Sequence, residues 1–458
     1  MYAGFLVNFR KCFLPFFLTY NAKASTVNHQ PNVRVIDAIM GSGKTTHIIK
    51  QLNNEKDLNK RFLIVTPYLK EIDRLNEEIP RLCLKSPKED DLEATTKAKK
   101  KSKSKSKELL KLIENDNNIL ITHSLFGVMP ASTLMLLAAK GYEVIIDEVF
   151  ECARQYGTGN DEMSCYDLSI LFHNKVVTEN DDGYLEWADH GRVDHKGVFH
   201  QLKQDCDNRR IRVKPTAKAK TDKQTDMFFW ELPVDQLKAF KSITVLTYMF
   251  DASVMRAYFR CYGIDWQHLS LTGDRELVSW SHAIEASEAQ SIAKYLYVLT
   301  GGKLNDTGEK INSYSSTWLE SRSPTQLAEI ERAARNALQN SFGARSSTAM
   351  WSCVKKMFSD LAPKGFKKVF VACNIRATND YKDKVHLAYL RNIYSQPTVV
   401  QYFNAKGVKI DDNRYALSEL LQWIFRSAIR EQKDVKLYLP SRRMRKLLHE
   451  WSDGLCKV

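Results

Sequence analysis

The sequence predicts an α/β protein of two parallel-sheet domains, the first interrupted by an insertion. Three observations predict it. Apolar, β-branched runs alternate with helix-spaced segments, a glycine-containing turn joins the first run to the first helix, and the alternation resumes in the last third of the chain. "VRVIDAI" (33–39) reads as a buried strand, and "TTHIIKQLNN" beyond the turn reads as a helix. "RFLIVTP" (61–67) is a second strand closed by Pro67, and "LKEIDRLNEEIPRL" has helical spacing. "KAKKKSKSKSK" (97–107) holds seven lysines and no apolar residue larger than Ala, so it reads as a low-complexity loop. "NNILITHSLF" (117–126) and "YEVIIDE" (142–148) are two more buried strands.

Residues 155–235 break the pattern. They are polar, rich in Asp, His and Asn, and contain the basic run "NRRIRVKPTAKAKTDK", so they read as an insertion or small subdomain. "SITVLTYMF" (242–250) returns to strand character. The expected organisation is an N-terminal extension (1–30), a first domain (31–255), a linker region (256–324) with a loop at "LTGGKLNDTGEK" (299–310), and a second domain (325–458). In the second domain we expect a helix at 326–341, strands at "KKVFVAC" (367–373) and "TVVQYF" (398–403), a long helix near 415–430 and a strand at "VKLYLP" (435–440).

The chain has 458 residues, 43% hydrophobic and 27% charged, an ordinary globular composition. Its formal charge of +14 favours a polyanionic partner, nucleic acid before an anionic membrane surface. No segment is long enough and free enough of charge to span a bilayer, so no membrane partner is expected. Nine cysteines, none in a C-x-x-C pair, argue against a zinc site and for reduced thiols in a cytoplasmic compartment.

"AIMGSGKTT" (38–46) carries the chemistry. Glycines 41 and 43 let backbone N–H groups turn toward phosphates, and the helix that follows adds positive potential at its N-terminus. Gly41, Ser42, Gly43, Lys44, Thr45 and Thr46 are the expected nucleotide-binding residues. Lys44 would reach the β- and γ-phosphates, and Thr45 would hold Mg²⁺. Position 38 is Ala where such loops usually begin with Gly. "NFRKCFLPFFLTYNAKAS" has the basic start, apolar run and Ala-x-Ala of a weak signal peptide. We read it as an extension, because the strand of an ATP-binding loop begins soon after it and ATP is scarce outside cells. In "VIIDEVFE", Asp147 at a strand end can bind Mg²⁺ and Glu148 can deprotonate an attacking water. In "LLQWIFRSAIR" (420–430), Gln422, Arg426 and Arg430 fall at i, i+4 and i+8, one stripe of a helix. Two arginines projecting from a second domain could stabilise charge on the γ-phosphate.

The order of "AIMGSGKTT", "LIVTPYLKE", "ILITHSLF", "VIIDEVFE", "TVLTYMFDAS" and "LLQWIFRSAIR" resembles superfamily 2 helicases of the DEAD/DEAH-like kind. "CNIRATNDYKDKVHLAYLRNIYSQP" (373–397) and "LPSRRMRKLL" resemble a phage and prophage branch, often labelled as DNA replication helicase. The resemblance covers residues 33–255 and 345–450 and implies two RecA-like P-loop domains, ATP and Mg²⁺ as cofactors, and DNA as partner, with replication proteins alongside. It implies nucleic-acid contacts at Thr66, Pro67, Thr122 and His123, and places Thr247 where hydrolysis is coupled to domain movement. It gives Asp147 and Glu148 the roles of metal ligand and base, and makes Gln422, Arg426 and Arg430 close the ATP site. "LTYM" stands where Thr-Ala-Thr or Ser-Ala-Thr is common, and the last arginine lies eight residues after Gln422 where seven is usual. Which arginine acts as the finger therefore stays open.

The Lys-rich stretch, with Lys99, Lys100 and Lys101 at its centre, and the basic run 209–223 are expected phosphate contacts, without base readout. An ATP-driven translocase or helicase is the leading expectation. The alternative is an ATP-gated DNA-binding or replication-loading protein without unwinding. A packaging ATPase with a C-terminal nuclease is disfavoured, because the second half offers few paired acids near strand ends.

Overall fold

The computed structural model describes residues 30–87, 97–158, 161, 163–188, 197–213, 227–373 and 380–453. The expected N-terminal extension and much of the basic run 209–223 lie outside them. In chain order, β1 (Asn32–Asp37), β2 (Phe62–Thr66), β3 (Ile119–Thr122) and β4 (Glu143–Asp147) open the first sheet. The insertion follows with β5 (Ala153–Gln155), β6 (Val177–Glu179), β7 (Leu185–Trp187), β8 (Ile211–Val213) and β9 (Phe228–Glu231). Then come β10 (Ser242–Thr247), β11 (Gln267–Leu271) and β12 (Leu277–Ser279), and finally β13 (Leu296–Val298), β14 (Ala349–Cys353), β15 (His386–Leu390) and β16 (Val435–Tyr438).

The first sheet has seven strands in the order β12-β11-β1-β10-β4-β2-β3. All its pairings are parallel except β11 with β12. Its strands are apolar on both faces because both are covered. Val33, Val35, Leu63, Val65, Val144 and Ile146 enter one core, while Ile36, Phe62, Ile64, Ile145 and Leu246 enter the other. Register aligns the strand ends: Asp37 pairs with Thr247, Leu246 with Asp147, and Thr66 with Thr122. The residues expected to do chemistry therefore share the carboxyl edge of one sheet, where open α/β sheets bind ligands.

The second sheet is parallel, ordered β13-β16-β15-β14. Its side chains alternate between two cores: Leu387 and Tyr389 on one face, Ala388 and Leu390 on the other. The first of these cores also takes in Ile39, Tyr248, Met249 and Ala252, which lie at the carboxyl edge of the first sheet. The two sheets thus share a hydrophobic contact beside the phosphate loop. The insertion forms a three-stranded antiparallel sheet, β5-β9-β8, and a separate β6–β7 hairpin.

Several expectations are corrected. The Lys-rich stretch is not a loop but the first half of a helix, Lys97–Glu114. Lys and Ala are good helix formers, and Leu109 and Ile113, one turn apart and fully buried, anchor its far end. The side chains of Lys99, Lys100 and Lys101 lie outside what the structure describes. "TVVQYF" is not a strand but part of the helix Pro397–Ala405, begun by Pro397, with Val399, Tyr402 and Phe403 buried at helical spacing. "KKVFVAC" contributes a 3₁₀ turn and one bridge, Phe370 to Trp351. The strand beside it is "AMWSC", whose composition hides its character. The helix expected to reach 430 ends at Ile424. Residues 256–324 are not only a linker: β11 and β12 belong to the first sheet and β13 to the second.

Candidate functional site

Gly41 and Gly43 both take left-handed backbone angles, φ +84° and +91°, which only glycine adopts freely. They turn the chain from β1 into the helix Lys44–Asn53. The Lys44 ammonium donates to the carbonyls of Ala38 (2.5 Å) and Ile39 (3.1 Å), so it lies folded over its own loop. Burial lowers its pKa from the usual lysine value, against the opposing charges of Asp37, Glu288, Asp147 and Glu148. The Ser42 hydroxyl is buried with no hydrogen-bond partner among the described residues. A glycine cradle, a buried hydroxyl with no acceptor or donor to meet, and an ammonium folded over the loop fit a bound polyphosphate.

Thr45 Oγ1 lies 3.5 Å from Asp147 Oδ1, beyond a strong hydrogen bond and suited to two oxygens sharing a divalent cation. Burial and the neighbouring Glu148 charge push the Asp147 carboxyl up to about 7, with Lys44 opposing. A Mg²⁺ held there would add counter-charge to this pair of acids. Among the described residues there is no group of three or more His, Cys, Asp or Glu placed to hold a metal by themselves. Glu148 sits in a left-handed turn, φ 66°, an uncommon angle of the kind found at functional sites.

The second sheet closes over this edge. Arg426 Nη2 stands 3.9 Å from Glu148 Oε1. A Cβ added to Gly41 would lie 3.5 Å from Arg430 Cγ, so Arg430 packs directly on the loop. The expected helical stripe does not exist: Arg426 follows the helix end in a turn, and Arg430 lies in the 3₁₀ segment Ala428–Glu431. The break at Ile424 gives the two arginines different targets. Gln422 occupies the last helical turn, half-buried, and Thr46 is exposed beside the loop.

Of the expected nucleic-acid contacts of the first sheet, Thr66 is buried, while Pro67, Thr122 and His123 are half-buried. Thr66 is fully buried, its side chain covered at the end of an internal strand. Thr122 caps the helix His123–Gly127, its hydroxyl accepting from Leu125 N–H. His123 Nε2 meets the Asp147 carbonyl at 2.9 Å and so braces the Asp147–Glu148 turn. Pro67 is half-buried, followed by the exposed Tyr68 and Leu69. Thr247 is buried, and its carbonyl accepts from Ala38 N–H at 3.1 Å, tying β10 to the start of the loop.

Three site residues escaped the sequence reading. Asp37, 3% exposed, accepts from Met249 N–H (2.7 Å) and Phe250 N–H (2.8 Å) and meets His268 Nε2 at 3.0 Å. It locks the segment after β10 to the loop strand; an acid inside "VRVIDAI" was the available signal. Glu288, on the helix His282–Ala293, accepts from Ile39 N–H at 3.2 Å, and burial pushes its carboxyl up to about 7. Arg275, in the turn after β11, lies against Gly43. No local sequence signal marked either of these two.

Fold and site together define the class: an α/β protein of two parallel sheets, whose glycine loop on one sheet is overlaid by arginines of the other. The chain belongs to the family of the SPbeta prophage-derived uncharacterized protein YonV of Bacillus subtilis (strain 168). The two are 33% identical over 428 residues, 92% of this chain and 99% of the relative. Residues 290–452 match the family model of the YonV C-terminal Rossmann-like domain. Among solved structures, an XPD helicase is similar over 94% of this chain and 96% of its own, at 12% identity and a TM-score of 0.46. The ATP-dependent Type ISP restriction-modification enzyme LlaBIII bound to DNA is similar over 93% of this chain and 31% of its own, at 8% identity and a TM-score of 0.23. Likeness at that level transfers no residue roles. No helix among the described residues is long and apolar enough to cross a membrane.

Proposed function

We propose that this chain is an ATP hydrolase that couples hydrolysis to movement along nucleic acid, with DNA of a phage or prophage as its track. One observation carries the proposal. Arg426 and Arg430 leave the second sheet and meet Glu148 and Gly41 of the first, so a nucleotide in the loop would be bound by both sheets at once. Gly41, Ser42, Gly43, Lys44, Thr45 and Thr46 hold the phosphates, and Thr45 with Asp147 holds Mg²⁺. Glu148 takes the proton of the attacking water, and Arg426 beside it stabilises the γ-phosphate charge. Arg430 clamps the loop, and Gln422, in the last helical turn before Arg426, helps close the site from the second domain. Binding would draw the sheets together and hydrolysis would release them. The net charge of +14 and the prophage origin of the relative support the DNA track, and the bacterial cytoplasm is the compartment where such DNA lies. The test is the steady-state ATPase rate with no polymer, single-stranded DNA, duplex DNA and RNA, with Lys44→Ala as the blank. Stimulation by one polymer supports the proposal; a flat, Lys44-dependent rate withdraws the translocase.

A second reading is favoured by the burial of Thr66 and by the hydrogen bonds that Thr122 and His123 make within the fold. A first domain whose side chains here serve the fold suits an ATP-gated DNA-binding or replication-loading protein that does not separate strands. Displacement of a labelled strand from a forked duplex separates the two readings.

A further inference from the structure

The turn between β11 and β12 reaches to the phosphate loop from the side away from Asp147. It is tightly closed. Thr272 N–H donates to Glu276 O at 3.0 Å, Arg275 N–H donates to Thr272 O at 2.8 Å, and Glu276 N–H donates to Thr272 Oγ1 at 3.1 Å. The Arg275 carbonyl meets His47 Nδ1, one turn into the helix that follows the loop, at 3.1 Å. The turn is therefore fixed to the helix, and its side chain has a fixed place to start from. The Arg275 guanidinium lies over the second loop glycine, where an added Cβ at Gly43 would stand 3.4 Å from Nε.

Arg275 is exposed, and no carboxylate among the described residues pairs with it. Arg414 and Arg443, by contrast, are engaged with Glu285 and Asp412. An exposed cation without a counter-ion, held against a phosphate cradle, is placed for an anionic ligand.

Sheet order decides which part of the ligand it meets. β1 carries the loop, and β4 with Asp147 and Glu148 lies two places to one side, across β10. Thr45 points to Asp147, so the terminal phosphate and its cation belong on that side. β11 and β12 lie on the other side of β1, so the remainder of the nucleotide leaves the loop toward them. We infer that Arg275, held by His47, forms a nucleoside-side subsite that grips the α-phosphate of the bound nucleotide. This rests on reading 38–46 as a nucleotide site.

The experiment compares the full-length protein with Arg275→Ala, Arg275→Lys and Lys44→Ala. It measures ADP affinity by displacement of a fluorescent ADP, inhibition of ATP hydrolysis by pyrophosphate, and the KM and kcat for ATP. Pyrophosphate has no nucleoside to fix its register and can occupy the two terminal positions, so its binding does not require the subsite. Arg275→Ala should weaken ADP about 10- to 100-fold, the worth of one hydrogen-bonded charge. KM should rise in step, kcat should fall far less, pyrophosphate inhibition should hold, and Arg275→Lys should recover most of the ADP affinity. Unchanged ADP affinity, or equal weakening of ADP and pyrophosphate, overturns the subsite. Undiminished ADP binding in Lys44→Ala overturns the nucleotide reading itself, whatever Arg275 does.

Discussion

Replacing Arg426 with Ala removes a guanidinium that faces Glu148 across the cleft at 3.9 Å, its side chain only 10% exposed. A pair of unit charges at that separation, in an effective dielectric of about 20, interacts by roughly 4 kcal/mol. A γ-phosphate gathering charge beside Glu148 would feel a field of that order. About 4 kcal/mol off a barrier is a rate factor of about 10³. Arg426→Ala should therefore lower kcat for ATP about 10³-fold and leave ADP affinity nearly unchanged, because the charge it stabilises develops only in the transition state. Arg426→Lys should restore part of the rate, since an ammonium supplies charge but not the planar fork. Steady-state hydrolysis read beside equilibrium ADP binding makes the measurement. Wild-type turnover in Arg426→Ala would refute the reasoning, and an equal loss of binding and turnover would show that the residue holds the cleft together instead.

Other outcomes follow from the same geometry. Burial raises the Glu288 carboxyl from its usual 4.5 to about 7, so the folded chain keeps a proton that the unfolded chain has released. That share of stability is complete below pH 4.5 and is lost as pH rises through 7; Glu288→Gln should gain on the wild type in urea midpoint over that window, and parallel pH profiles would refute it. Glu231, fully buried, joins Arg212 (2.6 Å), Lys406 (3.0 Å) and the Tyr262 hydroxyl (2.5 Å), while Phe229 stacks on Tyr402 at 4.2 Å. Glu231→Leu strands two cations and should cost about 3–5 kcal/mol, seen as faster hydrogen exchange in both 228–231 and 397–405; unchanged exchange would uncouple the insertion from the helix Pro397–Ala405. Thr66→Val removes a buried hydroxyl without a partner and should be neutral or slightly stabilising, with nucleic-acid affinity unchanged; weakened binding would give Thr66 an outward role. Changing all seven lysines of 97–107 to Gln should flatten the dependence of log affinity for duplex DNA on log salt by up to about 6, and an unaltered slope would take this helix off the DNA.

The first sheet was legible because its strands are buried on both faces and so read as apolar runs. "VRVIDAI", "RFLIVTP", "NNILITHSLF", "YEVIIDE" and "SITVLTYMF" all lie where β1, β2, β3, β4 and β10 stand. The second sheet was harder. "AMWSC" contains no β-branched residue, whereas "TVVQYF" has a strand's composition and a helix's spacing, and Pro397 settled it for the helix. The loop and the Asp147–Glu148 pair are local in sequence, so their places at the ends of β1 and β4 were readable. Arg426 and Arg430 were readable as residues but not as geometry, because nothing in "LLQWIFRSAIR" announces that the helix stops at Ile424. Glu288 and Arg275 reach the loop from 249 and more than two hundred residues away, through sheet order that no spacing encodes.

The most direct test of the account is hydrolysis of ATP by the full-length chain, titrated with single-stranded DNA, duplex DNA and RNA, beside Lys44→Ala. The account predicts a rate that rises with DNA and vanishes in the variant. A rate that ignores every polymer, or that survives loss of Lys44, would contradict it.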